Sequence, residues 1–399
     1  MVNRDVFALP TLTLVALAAC SSSCGSTSSS LFETPSNASA NGGNGNDGGG
    51  SGNAAGIGGS GPAALGGNSS GAATSGGAAG NGTQGGSDGA QDSAGMGGLG
   101  AAGSGGSEGG APNLLVPASG ALFGAFAGSD ANSVSNLEAI LGRKLAIHLN
   151  FFGWTDDYSG QLAQDFSAGH VPFITWEAWK NNTGTPLDQI ISGAFDSLLH
   201  QNAAAVKAFN KPFFLRWAHE MNGNWYPWAG AMNGADANAS AKYIAAYRHI
   251  HDVFIADGAS KVVWVFCPNV DSVPSEAWND WTNYYPGDDY VDWMCADGYN
   301  WGTTNQSSWQ SFETIFSRIY PGLAAKNKPI LIGETASTEQ GGDKAQWISA
   351  VVPALKESFP AVKALVWFNM NKETNWPLDS SSASKSAAVA MVNDPYFNP

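Results

Sequence analysis

Two glutamates stand among residues that could tune a carboxyl group for chemistry. The first lies in Phe214-Leu215-Arg216-Trp217-Ala218-His219-Glu220-Met221-Asn222, with Trp225, Tyr226 and Trp228 soon after it. The second follows an apolar run in Pro329-Ile330-Leu331-Ile332-Gly333-Glu334-Thr335. Such a pair suits displacement at an acetal carbon. One carboxyl protonates the departing oxygen while the other attacks the carbon directly, which needs the two about 5–5.5 Å apart, or activates water from farther away. The acid must keep its proton near neutral pH, which burial or its neighbour's charge achieves, and the other group must stay ionised. Tyr299 is a candidate donor to Glu334, and His219 a candidate to contact substrate hydroxyls or orient the site. Sugars offer C–H faces to aromatic rings and hydroxyl edges to amides and charges. Trp176, Trp179, Trp225, Trp228, Trp301 and Trp367 therefore read as the rim of an open cleft, and Arg216 and Asn222 as further substrate contacts. Glu177, Glu276, Glu313 and Glu339 read as loop or cap residues, Trp217, Trp264 and Trp293 as core, and Asp297 as a structural residue pairing with a loop backbone.

These residues need a frame that gathers them. Eight short apolar runs recur after residue 121: Leu122–Ala127, Lys144–Phe152, Val171–Trp176, Pro212–Trp217, Val262–Cys267, Val291–Ala296, Pro329–Gly333 and Val362–Phe368. Nearly continuous apolar character marks strands buried on both faces of a parallel sheet. Between them lie helical stretches such as Leu187–Phe209, Ala239–Asp257, Ser308–Ala325 and Asp343–Ser358. Eight alternations within residues 113–399 predict an α/β (β/α)8 TIM barrel as one catalytic domain. A doubly wound open sheet competes, but no G-x-G-x-x-G opens the first helix. In a barrel the chemistry sits at the C-terminal strand ends. Both glutamates occupy such positions, after the fourth and seventh runs.

The N-terminal part is of another kind. Val6–Ala19 is an apolar run ending Leu17-Ala18-Ala19-Cys20, too short to span a bilayer and closed by small residues. It resembles a bacterial lipoprotein signal, which implies cleavage after residue 19 and lipidation of Cys20; an ordinary cleaved signal is the alternative. Residues 20–112, rich in Gly, Ser, Ala and Asn, are expected to form a disordered tether. The chain is thus expected to be exported, as a cell-surface or outer-membrane lipoprotein or as a secreted protein, touching membrane only through the lipid. Six of the 33 acids and one of the 18 bases precede residue 113, which leaves 27 acids against 17 bases in the globular part. That surface repels phosphate backbones and argues against nucleic acid as a partner. A monomer is expected. Cys267 and Cys295 fall near the ends of successive strands, as a disulfide or as two buried thiols. No zinc-ligand spacing, phosphate loop or H-E-x-x-H occurs, so neither metal nor cofactor is expected.

The stretch from Phe214 to Gly223 and on through Trp225 and Trp228 resembles glycoside hydrolase family 26, in which an R-x-x-H-E-M-N segment ends strand four. The likeness continues at Tyr285-Pro286-Gly287-Asp288-Asp289-Tyr290-Val291-Asp292, at Asp297-Gly298-Tyr299, at Pro329–Glu334 and at Val366-Trp367-Phe368. It implies a retaining, endo-acting β-glycanase on a clan A barrel, without cofactor, acting on a polysaccharide. Glu220 would be the acid/base, Glu334 the nucleophile, Tyr299 the tyrosine bonded to the nucleophile, and Trp176 and Trp367 platforms near the cleaved sugar. His148 is the candidate for a strand-two histidine. Mannan endo-1,4-β-mannosidase activity is the first expectation. Mixed-linkage β-1,3-1,4-glucanase or β-1,3-xylanase activity is the alternative within the family, and a non-catalytic glycan-binding surface lipoprotein the alternative outside it.

Overall fold

The computed structural model describes residues 115–397, apart from Ala131 and Asn182. The expected signal segment, Cys20 and the expected tether lie outside the described residues. Eight parallel strands close into a barrel: β1 Leu122–Phe126, β2 Ile147–Phe152, β3 Val171–Trp176, β4 Phe213–Trp217, β5 Val262–Phe266, β6 Trp293–Asn300, β7 Ile330–Ser337 and β8 Val362–Phe368. β1 pairs with both β2 and β8, so no edge is left open. A two-strand hairpin, Trp179–Lys180 with Thr183–Gly184, follows β3. β6 and β7 run farther toward the C-terminal end than their apolar runs predict, to Asn300 and Ser337. Those extensions carry polar residues because they form the mouth.

The connecting helices are α1 Ser133–Leu141, α2 Ser159–Ala168, α3 Leu187–Ile191, α4 Asp196–Phe209, α5 Ala237–Ala256, α6 Phe312–Ser317, α7 Tyr320–Ala324, α8 Lys344–Ser349, α9 Val351–Glu357 and α10 Ser382–Val392. Side chains of Asp236, Ser311, Asp343 and Ser381 cap the starts of α5, α6, α8 and α10 by accepting backbone N–H bonds. Three stretches expected as single helices are broken. Gly193, at φ 81°, separates α3 from α4. Pro321 and Pro353 cannot donate to, and clash with, the carbonyls four residues back. Those carbonyls belong to Ser317 and Ser349, where α6 and α8 end. Each proline sits instead in the first turn of the following segment, where a missing N–H costs little.

Strand alternation sends one set of side chains into the barrel and the other against the helices. On β4, Arg216 points in, while Trp217 points out and stacks on Tyr243 of α5 at 5.4 Å. The interior narrows around Arg216, and Gly333 on β7 makes the room. A Cβ there would stand 2.5 Å from Cys295 Sγ, 2.7 Å from Asp297 Oδ1 and 2.8 Å from an Arg216 terminal nitrogen. Cys267, just after β5, and Cys295, within β6, form a disulfide, with their Cα atoms 4.3 Å apart. We expect Gly333→Ala to lower stability by ~1–3 kcal/mol, the range for overpacking a tight core, read as a lower urea midpoint at unchanged slope.

Candidate active site

The C-terminal strand ends bring Glu220 and Glu334 to one cavity, walled by Tyr226, Tyr299, Trp301, Phe368, Glu373 and Trp376. Each carboxylate is held differently. Glu334 accepts from the Arg216 guanidinium on one oxygen and from the Tyr299 hydroxyl, at 2.6 Å, on the other. Arg216 is always charged. It also grips Asp297 through one terminal nitrogen, at 2.8 and 2.9 Å, and donates from Nε to Thr175 Oγ1 at 2.9 Å. Its plane lies over Phe173 and Phe151, 5.0 and 5.8 Å from the ring centres. Glu220 has no cation in contact. It accepts from two neutral donors, Asn269 Nδ2 at 2.8 Å and Trp225 Nε1 at 2.7 Å.

The electrostatics follow from those surroundings. Burial, then the charge of Glu334, push the Glu220 carboxyl up to about 7, against the pull of Asn269, Trp225 and Arg216. His219 goes the other way: burial and the nearby Arg216 charge hold its imidazole well below the usual range, so the ring is neutral at pH 7. Its Nε2 lies 3.8 Å from Glu334 Oε1.

The turn that aims Glu220 is strained. Ala218 and Glu220 have φ of 47° and 52°, a region that costs a non-glycine residue about 1–3 kcal/mol. The fold imposes it through specific ties. Ala218 N–H bonds to Trp176 O at 3.0 Å, Glu220 N–H to Cys267 O at 2.8 Å, and Trp228 Nε1 to His219 O at 2.7 Å.

Of the residues singled out in the sequence, Glu220, Glu334, Tyr299, Trp301, His219 and Trp225 meet here. Several others do not face substrate. Arg216 is fully buried beneath Glu334, and its donors are taken by Asp297, Glu334 and Thr175. Asp297 is structural as expected: its backbone bonds Pro268 and Val270 of the loop after β5, and its carboxylate also pairs with Arg216. Asn222 holds the loop after β5, exchanging bonds with Asn269 and donating to Ser272. Trp176 and Trp367 follow inward-pointing residues and so point outward. Trp176 stacks on Trp154 at 4.6 Å and meets Phe254 of α5, and Trp367 packs on Trp347 of α8. Trp228 is buried behind Tyr226, stacked on it at 4.4 Å. None of these three tryptophans is an exposed platform. His148 also points outward, toward Asp165 of α2.

Other residues take those places. Tyr226, Phe368 and Trp376 line the cavity, and Asn269 holds Glu220. Glu177, expected as a loop or cap residue, is fully buried near the cavity and accepts from Trp179 Nε1 at 3.1 Å; burial pushes it well above the usual carboxyl range. Lys372 and Glu373 come from the loop after β8, 2.8 Å apart, and Trp376 Nε1 donates to Glu373 at 3.0 Å. Lys372 Nζ and Glu373 Oε1 pair with each other, while among the described residues Glu177 Oε1 has no hydrogen-bond partner. A buried group left in that state is suited to bonding a polar ligand.

The family model "Glycosyl hydrolase family 26" matches residues 174–396. Endoglucanase H of Acetivibrio thermocellus is 41% identical over 288 residues, which cover 70% of this chain and 31% of that protein. A mannan endo-1,4-beta-mannosidase of Bacillus subtilis is 28% identical over 215 residues, covering 53% of this chain and 50% of the relative. The chain thus spans from about a third to half the length of these relatives. Among solved structures, the Bacillus subtilis mannanase BCman superposes with a TM-score of 0.53 at 20% identity, over 71% of this chain and 87% of that one, a likeness of fold.

The Glu334 charge raises the Glu220 carboxyl. Glu334→Gln removes the negative charge that opposes ionisation of Glu220, so the Glu220 carboxyl should titrate below its present value of about 7. Carbon-13 NMR of labelled glutamate across pH 3–9 reads this directly; an unmoved midpoint would show that the two groups do not share a site.

Proposed function

The chain belongs to glycosyl hydrolase family 26, and on that premise we propose that it is a retaining, endo-acting β-glycanase with Glu334 as nucleophile and Glu220 as acid/base. The observation that carries the reading is the asymmetry of the two carboxyls on one cavity. Glu334 sits against a permanent cation and a phenol donor, while Glu220 is buried without a cation and pushed up to about 7. A carboxyl raised by burial beside one fixed by a permanent cation divides the proton donor from the nucleophile.

In the first step a Glu334 oxygen attacks the anomeric carbon as Glu220 gives its proton to the glycosidic oxygen. The carbon–oxygen bond breaks and the aglycone sugar leaves as an alcohol. In the second step Glu220, now ionised, takes a proton from water, which displaces Glu334 from the same carbon. Tyr299 and Arg216 hold the Glu334 carboxylate in line. Trp301, half-buried at the cavity, offers ring surface for sugar C–H faces, Tyr226 and Trp376 wall the cavity, and Lys372, Glu373 and Glu177 offer polar groups for hydroxyls.

Mannan is the first substrate on this reading, as for the Bacillus subtilis relative. A second reading, a β-glucan, is favoured by the higher identity to a protein named Endoglucanase H. Export fits the Cys267–Cys295 disulfide, since such bonds persist in oxidising compartments. With it goes anchoring through lipidated Cys20.

Glu334→Ala should abolish turnover of every substrate. Glu220→Ala should cut polysaccharide turnover by about 10²–10⁴-fold, yet still release an aryl leaving group that needs no proton. Reducing-end assays on mannan, mixed-linkage glucan and β-1,3-xylan separate the substrates, and near-native activity in either variant would refute the assignment. The rate should fall as pH rises through about 7, where Glu220 loses its proton. Trp225→Phe removes a donor to the ionised form, so this alkaline limb should move to higher pH.

A further inference from the structure

We propose that the groove between α1 and α2, on the outside of the barrel, binds a zinc-type divalent transition-metal cation through His148, Asp165 and His170. The site is far from obvious in the sequence, where the three residues have no short motif spacing; folding brings them together. Outward side chains of a barrel strand ordinarily meet apolar helix faces. On β2 two of the outward side chains, His148 and Asn150, are polar, and they meet Asp165 of α2. His170, just before β3, and Glu138 of α1 complete the cluster.

One ligand-type atom from each of His148, Asp165 and His170 lies within 4.8 Å of the other two. His148 Nδ1 is 2.7 Å from Asp165 Oδ1, and His170 Nε2 is 2.8 Å from Glu138 Oε1. Asp165 is itself steadied by Asn150 Nδ2 at 3.0 Å and Gln161 Nε2 at 2.8 Å. Carboxylates and amides that orient metal ligands are the usual outer layer of such a site. A second observation points to a ligand: His148 Nε2 is buried and makes no hydrogen bond within the protein, although the side chain is only 9% exposed.

Both histidines and Asp165 line a cleft of about 430 Å³, which gives an ion a way in. Two imidazoles with carboxylate suit zinc and its neighbours better than calcium or magnesium, which prefer oxygen alone. Asp165 and Glu138 balance a dication's charge. Lys144, the basic residue on the cleft wall, is turned to the Ala168 carbonyl at 2.7 Å. Zinc holds such ligands at about 2.0–2.2 Å, so binding would draw the three side chains together and exchange the present histidine–carboxylate hydrogen bonds for metal bonds. It would tie β2, α2 and the lead into β3, a structural role distinct from hydrolysis.

The test uses the full chain without a histidine tag, stripped by chelator and titrated with zinc chloride by calorimetry. One saturable equivalent is expected, together with a zinc-dependent rise in Tm. His148→Ala and His170→Gln should each weaken binding at least about 10-fold and erase the Tm rise. Folding of each variant is checked by circular dichroism, and Asp165→Asn serves should one not fold. Glu334→Gln removes the other buried histidine–carboxylate group, His219–Asp297–Glu334, and should leave the titration unchanged. No saturable binding, binding unaltered in the folded histidine variants, or binding lost in Glu334→Gln alone would overturn the proposal.

Discussion

Five of the eight barrel strands meet at one guanidinium. Arg216 of β4 lies over Phe151 of β2 and Phe173 of β3, donates to Thr175, and binds Asp297 of β6 and Glu334 of β7. It has no solvent exposure. A buried cation is tolerated only when its donors are matched, and removing one partner leaves a charge that nothing offsets. The neighbouring choices follow from that constraint. Residue 333 has to be glycine to make room, and Thr175 has to present a hydroxyl to the interior of an otherwise apolar strand. The cluster fixes the position of Glu334 before any ligand arrives, which is the preorganisation that electrostatic catalysis requires.

The same cation accounts for the difference between the two glutamates. Its charge lies in direct contact with Glu334 and reaches Glu220 only at a distance, where burial and the Glu334 charge outweigh it. Arg216 also helps to keep His219 neutral. One permanent charge at the barrel axis thus separates the roles of three titratable side chains above it.

Much of this was legible in the sequence. The strands announce themselves because parallel barrel strands are apolar on both faces, and the rule that chemistry gathers at C-terminal strand ends singles out Glu220 and Glu334 without coordinates. The tryptophans were harder. A tryptophan in a strand reads equally well as core or as platform until one inward residue sets the phase. Arg216 sets it on β4 and Thr175 on β3, and by alternation Trp217 and Trp176 must then face helices. Residues after the strands escape that logic. Lys372, Glu373 and Trp376 reach the cavity along a loop whose path no periodicity encodes, and Glu177 was hidden among other solitary acids. Helix breaks at Pro321 and Pro353 were visible in principle, since each proline names the carbonyl it rejects.

The left-handed backbone at Ala218 and Glu220 sets the stability of the loop against its precision. Neither residue is glycine, so the loop carries a conformational debt that a methyl-free residue at 218 would relieve. A drift to glycine there would make the protein more robust to heat and, by freeing the turn, blunt the aim of the carboxyl two residues on. Heat resistance and the aim of the carboxyl therefore place opposite demands on this loop.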